Sequence, residues 1–283
     1  MEIPDNLVRV IQGEEEWLTQ YLQTLPPEAW GQPSACERWE GRDVIGHLTW
    51  MAEFYVEAVS RAVQGNVSPP EGFPAVGAST GASFDEFIAQ RAIVCRQSLG
   101  EQLLPTFSIR LAQLIHLLAT RTPQDWEKPA YRFSRTVPLR NYLYLSIQEL
   151  ALHGWDIRSA LEPVAHLSVA SPPALMDRIP QRFTIPWVAD FSRGASLPSP
   201  ICYRWDMTGG VSSPYDIVVE NGTCRIEPGG AAVGHVTFRS DTETFVLLMY
   251  GRLTLELAIA TSRLSVEGDQ GLVTAFDRWL KRA

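Results

Sequence analysis

QELALHGWDIRSAL, residues 148–161 of this 283-residue chain, places a carboxylate and an imidazole among leucines and alanines. Its apolar residues recur at steps of three and four, which predicts one helix with an inward apolar face. Glu149 and His153 are four residues apart, so their side chains project side by side, on or beside that face. An unpaired buried carboxylate is costly, and Glu149 therefore requires a partner inside the fold. That partner is an arginine, a histidine of a structural hydrogen-bond network, or a metal ion.

The same periodicity runs through the first 165 residues and predicts a helical domain. The helix of Glu149 is expected to begin near Pro138 and to end before Glu162. A loop rich in glycine, proline and serine, residues 65–83, is predicted to be irregular and is a candidate lid. The other predicted helical segments are residues 5–25, residues 42–63, and residues 84–121 with an interruption near Gly100 and Pro105. Helices of this length, most of them joined by short turns, favour an antiparallel four-helix bundle.

The pattern changes after about residue 166, where short segments rich in β-branched and aromatic residues predict strands. These segments are ICYRWDM (201–207), YDIVVE (215–220), TCRIEP (223–228) and HVTFRS (235–240). Asn221 and Gly222 predict a tight type I′ turn between two of them. Asp241 is expected to cap a helix, and residues 269–282 to form a closing amphipathic helix. We therefore predict two domains, a four-helix bundle over residues 1–165 and a smaller α+β domain over residues 166–283.

Composition and charge exclude several classes of function. The net charge is −8 without a basic run, which argues against nucleic acid or an anionic membrane surface as a partner. No apolar stretch approaches the ~20 residues that span a bilayer, and the first ten residues are unlike a secretory signal, so we expect a cytoplasmic protein. The chain has no P-loop, no dinucleotide fingerprint and no G-x-S-x-G motif. Its scattered cysteines are predicted to be free thiols without a catalytic role: Cys36, Cys95, Cys202 and Cys224.

A second histidine, His47, lies on the apolar side of the second predicted helix. Two histidines and a carboxylate that converge between helices favour a metal site, because bundle cores commonly hold such sites. His47, Glu149 and His153 supply three ligands and leave a fourth position open, as in catalytic zinc sites. Asp43 is expected to cap its helix rather than to orient His47, and Asp156 is expected to be structural. The remaining histidines are assigned no chemistry: His116, His166 and His235.

Two segments, CERWEGRDVIGHLTW (36–50) and QELALHGWDIRSAL, together resemble the DinB/YfiT-like metalloenzyme superfamily, in particular the branch named for mycothiol-dependent maleylpyruvate isomerase. That branch has the patterns W-x-x-R-D-V-x-x-H-L and E-x-x-x-H-G-W-D on its second and fourth helices. The matching residues here are Trp39, Arg42, Asp43, Val44, His47, Leu48, Glu149, His153, Gly154, Trp155 and Asp156. The resemblance implies that His47, Glu149 and His153 bind the metal. Glu40 departs from the family, which usually has Ser or Thr as helix cap there, so a weaker cap is expected.

The segment TFRSDTETFVLLMYGRLTLELAIATSRLSVEGD (237–269) resembles the sterol-carrier-like domain that is often fused to these bundles. In that family an acid begins a helix, Gly-Arg ends it, and Gly-Asp closes the next strand. The corresponding residues here are Asp241, Gly251, Arg252, Gly268 and Asp269. The resemblance implies that an arginine of this domain helps to hold an acidic substrate, and Arg252 is the positional candidate for that catalytic role. A helix C-cap or a surface salt bridge is the alternative role for Arg252.

The resemblance also implies a reaction. Zinc, or nickel or another divalent metal, would hold mycothiol or a similar low-molecular-weight thiol as a thiolate that attacks an electrophilic carbon of a small substrate. The enzyme would be a cis–trans isomerase of the maleylpyruvate type or a thiol S-transferase. Two alternatives stay open: a metal-dependent hydrolase that uses bound water, and a non-catalytic carrier of a small molecule or lipid. The expected assembly is a monomer or a homodimer.

Overall fold

Five long helices and a short β-hairpin form the first part of the chain in the structure, a computed structural model that describes residues 3–37, 39–78, 83–182, 199–209, 214–230 and 234–280. The chain divides into two units, Met1–Ser171 and Pro172–Ala283. The domain boundary predicted between residues 165 and 166 stays a prediction.

The first unit contains helices α1 to α5 and the antiparallel strands β1 and β2. Their bounds are α1 Ile3–Thr24, α2 Gly41–Val63, α3 Ser83–Leu99, α4 Leu103–Ala119, β1 Pro129–Arg132, β2 Arg135–Pro138 and α5 Asn141–Leu161. Each helical segment predicted from the sequence is present, while the count of four helices in one bundle stays a prediction. Residues 65–78 form an irregular loop, as predicted, and residues 79–82 of the candidate lid lie outside the described residues.

Of two details predicted for these helices, one is wrong and the other is confirmed in part. The helix of Glu149 begins at Asn141 rather than near Pro138, because Pro138 is the last residue of β2, in a hairpin that the sequence did not predict. The predicted interruption between α3 and α4 is present at Gly100–Gln102, a short 3₁₀ helix, but it does not extend to Pro105. Gly100 has a φ of +50°, a left-handed conformation that favours glycine. Pro105 lies in the first turn of α4, where its missing N–H breaks no helical hydrogen bond.

Helix α2 is the central element of the first unit, since it packs against α3, α4 and α5, while α1 packs against α4 and α5. Gly46 permits the close approach of α3, because a Cβ atom there would lie 2.5 Å from the carbonyl oxygen of Ala92. Next to this contact, the Arg96 guanidinium forms an ion pair of 2.7 Å with Asp43. These contacts fix the turn of α2 that carries His47.

The hairpin of β1 and β2 fastens the loop of residues 65–78. Its tip, Phe133 and Ser134, has φ angles of +41° and +62°, so two residues other than glycine adopt the left-handed conformation. The hydroxyl of Tyr131 donates a hydrogen bond of 2.6 Å to the carbonyl oxygen of Pro74 in the loop. The described part of the loop is therefore tethered to the hairpin.

The second unit is built around a mixed five-stranded sheet. Its strands are β3 Ile201–Thr208, β4 Tyr215–Glu220, β5 Thr223–Pro228, β6 Val236–Asp241 and β7 Leu264–Gly268. The helices that follow α5 are α6 Ser171–Met176, α7 Ile179–Arg182, α8 Thr242–Met249, α9 Leu255–Ala260 and α10 Gln270–Trp279. The strand order is β5-β4-β3-β6-β7, with β3 and β6 parallel and the other described neighbours antiparallel.

The turn and the helix cap predicted for this unit are confirmed. Asn221 and Gly222 have φ angles of +50° and +75° between β4 and β5, as a type I′ turn requires. The Asp241 carboxylate accepts a hydrogen bond of 2.6 Å from the Thr244 N–H at the start of α8. Helix α9 was not predicted, because LELAIA alternates as a strand does. The Thr254 hydroxyl, which accepts a backbone N–H at 3.0 Å, caps it as a helix instead.

Candidate metal centre

Helices α2 and α5 bring together the three residues that the sequence predicts as metal ligands. Glu149 Oε2 lies 3.0 Å from His47 Nε2 and 3.4 Å from His153 Nε2. The two imidazole rings are 4.8 Å apart, centre to centre. A single carboxylate oxygen therefore faces both Nε2 atoms, because Glu149 and His153 are one turn apart on α5 and α2 crosses them at His47.

The other side of His153 is held by Asp156. Its Nδ1 donates a hydrogen bond of 2.9 Å to Asp156 Oδ2, and the aspartate is only 1% exposed. A carboxylate in this position fixes the tautomer and the orientation of a metal-binding histidine. Asp156 is thus in direct contact with a predicted ligand, while its structural rather than catalytic role stays a prediction.

Cys36 lies at the same place, where the sequence predicts only an ordinary free thiol. Its Sγ is 3.1 Å from Asp156 Oδ2 and 3.6 Å from His153 Nδ1. The loop before α2 is tied to α5 by the Ala35 N–H, which donates to the Asp156 carbonyl oxygen at 2.9 Å. The only sequence signal was indirect: Cys36 is the first residue of the segment that carries the family motif. The absence of a catalytic role for the cysteines stays a prediction.

Two aromatic residues complete the immediate surroundings of the cluster. The Trp39 ring lies 5.1 Å from the His47 ring and 6.3 Å from the His153 ring, centre to centre. The Tyr55 hydroxyl donates a hydrogen bond of 3.2 Å to Glu149 Oε1. Because Oε1 is occupied in this way, Oε2 is the oxygen that faces the histidines. Sequence reasoning included Tyr55 only as an apolar residue of its helix.

Burial and hydrogen bonding set different charges on the three predicted ligands. Burial lowers the pKa of His47 below its usual value, so this imidazole is neutral. Burial would raise the pKa of Glu149, but hydrogen bonds with His153 and His47 outweigh it and hold that pKa well below the usual range. Burial would lower the pKa of His153, yet its hydrogen bonds, first with Asp156, raise it well above the usual value. Without a metal, the cluster therefore holds an anion beside an imidazolium.

Asp43 has the capping role that the sequence predicts. Its carboxylate accepts a hydrogen bond of 3.1 Å from the Glu40 N–H, besides the ion pair with Arg96. It is therefore not a partner of His47, whose Nδ1 is buried without a hydrogen bond among the described residues. The helix begins at Gly41, directly after Glu40, although Glu40 stands where the family usually has Ser or Thr.

Arg252 lies in the second unit, directly after α8 and Gly251. Its N–H donates to the Leu247 carbonyl oxygen at 2.8 Å, and its Nη1 donates to the Tyr250 carbonyl oxygen at 3.2 Å. Gly251 has a φ of +74°, as is common where a helix ends. These contacts agree with the C-cap role, and the role of Arg252 in substrate binding stays a prediction.

The donor set at the cluster suits a divalent metal ion. His47, Glu149 and His153 each offer one ligand atom, and these atoms lie within 4.8 Å of one another. Two imidazole nitrogens and one carboxylate oxygen are ligands that zinc binds with an open fourth position. A second group with the same property consists of Cys36, His153 and Asp156. His153 belongs to both groups, through opposite ring nitrogens.

The fold and the site together define a class of two-domain proteins. The first domain is helical and has a His–His–Glu cluster as a candidate metal centre, and the second is built on a mixed sheet. Residues 12–158 match the family described as the mycothiol maleylpyruvate isomerase N-terminal domain. Residues 201–281 match the SCP-2 sterol transfer family. This chain therefore belongs to the mycothiol maleylpyruvate isomerase family and carries a C-terminal SCP-2 domain.

Solved structures show the same fold over nearly the whole chain. The crystal structure of the mycothiol-dependent maleylpyruvate isomerase is 15% identical and has a TM-score of 0.62, covering 94% of this chain and 93% of that chain. The crystal structure of a histidine-to-alanine mutant of that enzyme is 16% identical, with the same coverage and TM-score. At this identity the likeness concerns the fold. None of the curated proteins matches this chain. Among the described helices, none has the length and apolar character needed to cross a membrane.

Proposed function

We propose that this protein is an enzyme of the maleylpyruvate isomerase type that depends on a divalent metal ion and a low-molecular-weight thiol. The observation that carries the proposal is the convergence of His47, Glu149 and His153 in the domain that matches this family. Zinc is the proposed metal, and mycothiol or a similar thiol is the proposed cofactor. The proposed scaffold of the site is an antiparallel four-helix bundle of the DinB type.

The residues around the cluster would hold the metal ligands in place. When bound, the cation supplies a Lewis acid that keeps a thiol at its open position as the thiolate, a nucleophile for an electrophilic double bond. Tyr55 occupies Glu149 Oε1, so Oε2 is the oxygen that would bind the ion. Asp156 holds the Nδ1 proton of His153, so Nε2 is the nitrogen that would bind the ion once its own proton is displaced. Trp39 packs beside both imidazole rings.

The nucleophile is proposed to be the exogenous thiol rather than a cysteine of the chain. Cys95, Cys202 and Cys224 lie on α3, β3 and β5, and burial raises the pKa of each thiol. Cys36 contacts Asp156 and Nδ1 of His153 rather than the Nε2 and Oε2 atoms that would bind the ion. Replacing each cysteine by alanine in turn should leave thiol-dependent turnover largely intact. Loss of turnover in any variant that keeps its fold and metal would contradict this assignment.

The test of the proposed function is cis–trans isomerisation of maleylpyruvate, followed with and without mycothiol and with and without a chelator. Turnover should require both the thiol and the metal. His153→Ala should lose both metal and turnover, whereas the matched control His116→Ala, on an exposed position of α4, should keep both.

Two other outcomes would overturn the proposal in favour of the alternatives. Metal-dependent hydrolysis of a substrate without any thiol requirement would indicate a hydrolase that uses bound water. Protein purified without metal, with the three ligands intact and an apolar ligand bound, would indicate a carrier. Either an isomerase or a thiol S-transferase would satisfy the proposal as far as the metal and the thiol are concerned, and only the products distinguish them.

A further inference from the structure

Arg132, the last residue of β1, is a partly buried cation that has no ion pair among the described residues. Its guanidinium carbon lies 4.0 Å from the centre of the Phe133 ring and 5.6 Å from the centre of the Tyr55 ring. Its Nη1 is buried and makes no hydrogen bond within the described part of the chain. A buried donor without an acceptor is costly. A ligand that offers an acceptor here would remove that cost.

Tyr55 connects this cation to the candidate metal centre. The ring that Arg132 faces belongs to the residue whose hydroxyl donates to Glu149 Oε1 at 3.2 Å. Arg132 is therefore separated from the predicted ligand Glu149 by one side chain, that of Tyr55, and belongs to the same unit.

The hairpin tip holds the guanidinium in its position. Phe133 and Ser134 keep their left-handed backbone conformation although neither is glycine, and such strain persists only where the surroundings enforce it. Phe133 stacks on Phe54 of α2, with ring centres 4.7 Å apart and an interplanar angle of 5°. The Gly77 N–H donates to the Ser134 carbonyl oxygen at 2.6 Å. A cation on so constrained a support loses little entropy when it binds a ligand.

We propose that Arg132 binds a carboxylate group of the electrophilic substrate beside the metal centre. A guanidinium presents a planar fork of donors that grips a carboxylate through two parallel hydrogen bonds. The substrate class is then a small unsaturated carboxylic acid whose double bond lies close to the carboxylate. That the bound carboxylate belongs to a substrate rests on the proposed function, whereas binding of an anion at Arg132 can be tested without turnover.

The experiment measures binding of maleate to the full-length, zinc-loaded protein by calorimetry, with maleamide as the uncharged counterpart. Arg132→Met keeps the apolar contact with Phe133 and Tyr55 but removes the charge. Arg132→Lys keeps the charge but not the planar fork. The matched control is Arg135→Met, which removes a cation from the exposed position that pairs with Arg132 across the hairpin.

We expect Arg132→Met to bind maleate about tenfold or more weakly than the wild type, since a charge-assisted hydrogen bond is lost. Arg132→Lys should be intermediate, and Arg135→Met should bind maleate as the wild type does. Zinc content and the affinity for maleamide should be the same in all four proteins. If Arg132 had a merely structural role, its replacement would instead change the zinc content or weaken the binding of maleate and of maleamide alike.

Several results would overturn the proposal. These are no binding of maleate by the wild type, the same maleate affinity in Arg132→Met as in the wild type, an equal loss of affinity for maleate and maleamide in Arg132→Met, or loss of zinc from that variant. Absence of any turnover that depends on the thiol and the metal, whether isomerisation or S-transfer, would contradict the proposed function. It would leave the carboxylate site in place, so the two failures are distinguishable.

Discussion

His153 is held through both nitrogens of its ring. Nδ1 lies 2.9 Å from Asp156 Oδ2, and Nε2 lies 3.4 Å from Glu149 Oε2. Rotation of the ring would break contacts at both ends, so the residue offers one orientation to a metal ion. A ligand with a carboxylate behind it is also a stronger donor, because the carboxylate stabilises the charge that the ring acquires on binding.

The contact behind His153 leads to a first prediction, for Asp156→Asn. Asparagine is similar in size, and its amide oxygen can still accept the hydrogen bond from Nδ1. Because it lacks the negative charge, zinc affinity should fall about 10–100-fold. Competition with a zinc chelator measures the change. The control Asp125→Asn alters another buried aspartate, which pairs with Lys128 at 2.8 Å, and should lower stability without changing zinc affinity. Equal affinities of Asp156→Asn and the wild type would argue against the arrangement.

The charge of His153 leads to a second prediction, on pH. Its pKa is raised well above the usual value, so in the metal-free protein the ring is protonated at neutral pH and a metal has to displace that proton. Glu149, whose pKa is well below its usual value, is already ionised and adds no proton of its own. Zinc affinity should therefore rise about tenfold per pH unit from pH 6 towards the pKa of His153. An affinity that stays constant between pH 6 and 8 would contradict this.

Periodicity explains which of these residues could be predicted. Glu149 and His153 could be predicted, because a helix places residues four apart on one face. His47 could be predicted by the same argument on a second helix. Cys36 and Arg132 could not be predicted, because Cys36 lies on a loop and Arg132 on a hairpin, whose positions depend on long-range packing. Neither segment has a periodic pattern that indicates where it will lie.

At the level of the helices, two glycines beside the predicted ligands have different roles. At Gly46 of α2 a Cβ atom would lie 2.5 Å from a carbonyl oxygen of α3, which cannot move without its helix. At Gly154 of α5 a Cβ atom would meet the Leu18 side chain at 3.5 Å, an ordinary contact. The close approach of α2 and α3 depends on the first glycine only.

The third prediction compares Gly46→Ala with Gly154→Ala. The first should destabilise the protein by about 1–3 kcal/mol through overpacking and should weaken zinc binding, because His47 is the next residue. The second should be neutral or should stabilise by up to about 1 kcal/mol, since alanine is the better helix former. Urea unfolding of the metal-free proteins measures both. Similar losses in the two variants would mean that the helix contact is not as described.

The elements themselves could be predicted to different degrees. Long segments with a clear apolar face, such as α1, α2 and α5, are found from the sequence because their pattern extends over several turns. The β1–β2 hairpin is not found from the sequence, because its strands have four residues each. Its turn is Phe133-Ser134 instead of the Asn-Gly that favours such turns. Its conformation depends on stacking with Phe54, which the local sequence does not contain.

At the level of the whole chain, the family assignment covers both units, and Arg252 is the residue that the resemblance connects with substrate. The fourth prediction is that Arg252→Lys raises KM for a carboxylate substrate and leaves zinc content unchanged, since lysine lacks the planar fork of donors. Steady-state kinetics and metal analysis measure the two quantities. A KM equal to that of the wild type would contradict a role of Arg252 in substrate binding and would favour the helix-end role that its contacts with Leu247 and Tyr250 indicate.

We propose that a metal ion binds to His47, Glu149 and His153 rather than to the neighbouring group of Cys36, His153 and Asp156. X-ray absorption at the zinc edge of the full-length protein, free of added thiol, tests it most directly. We expect two imidazole rings and oxygen ligands at about 2.0–2.1 Å, in the wild type and in Cys36→Ala alike. A zinc–sulfur distance of about 2.3 Å that disappears in Cys36→Ala would contradict it.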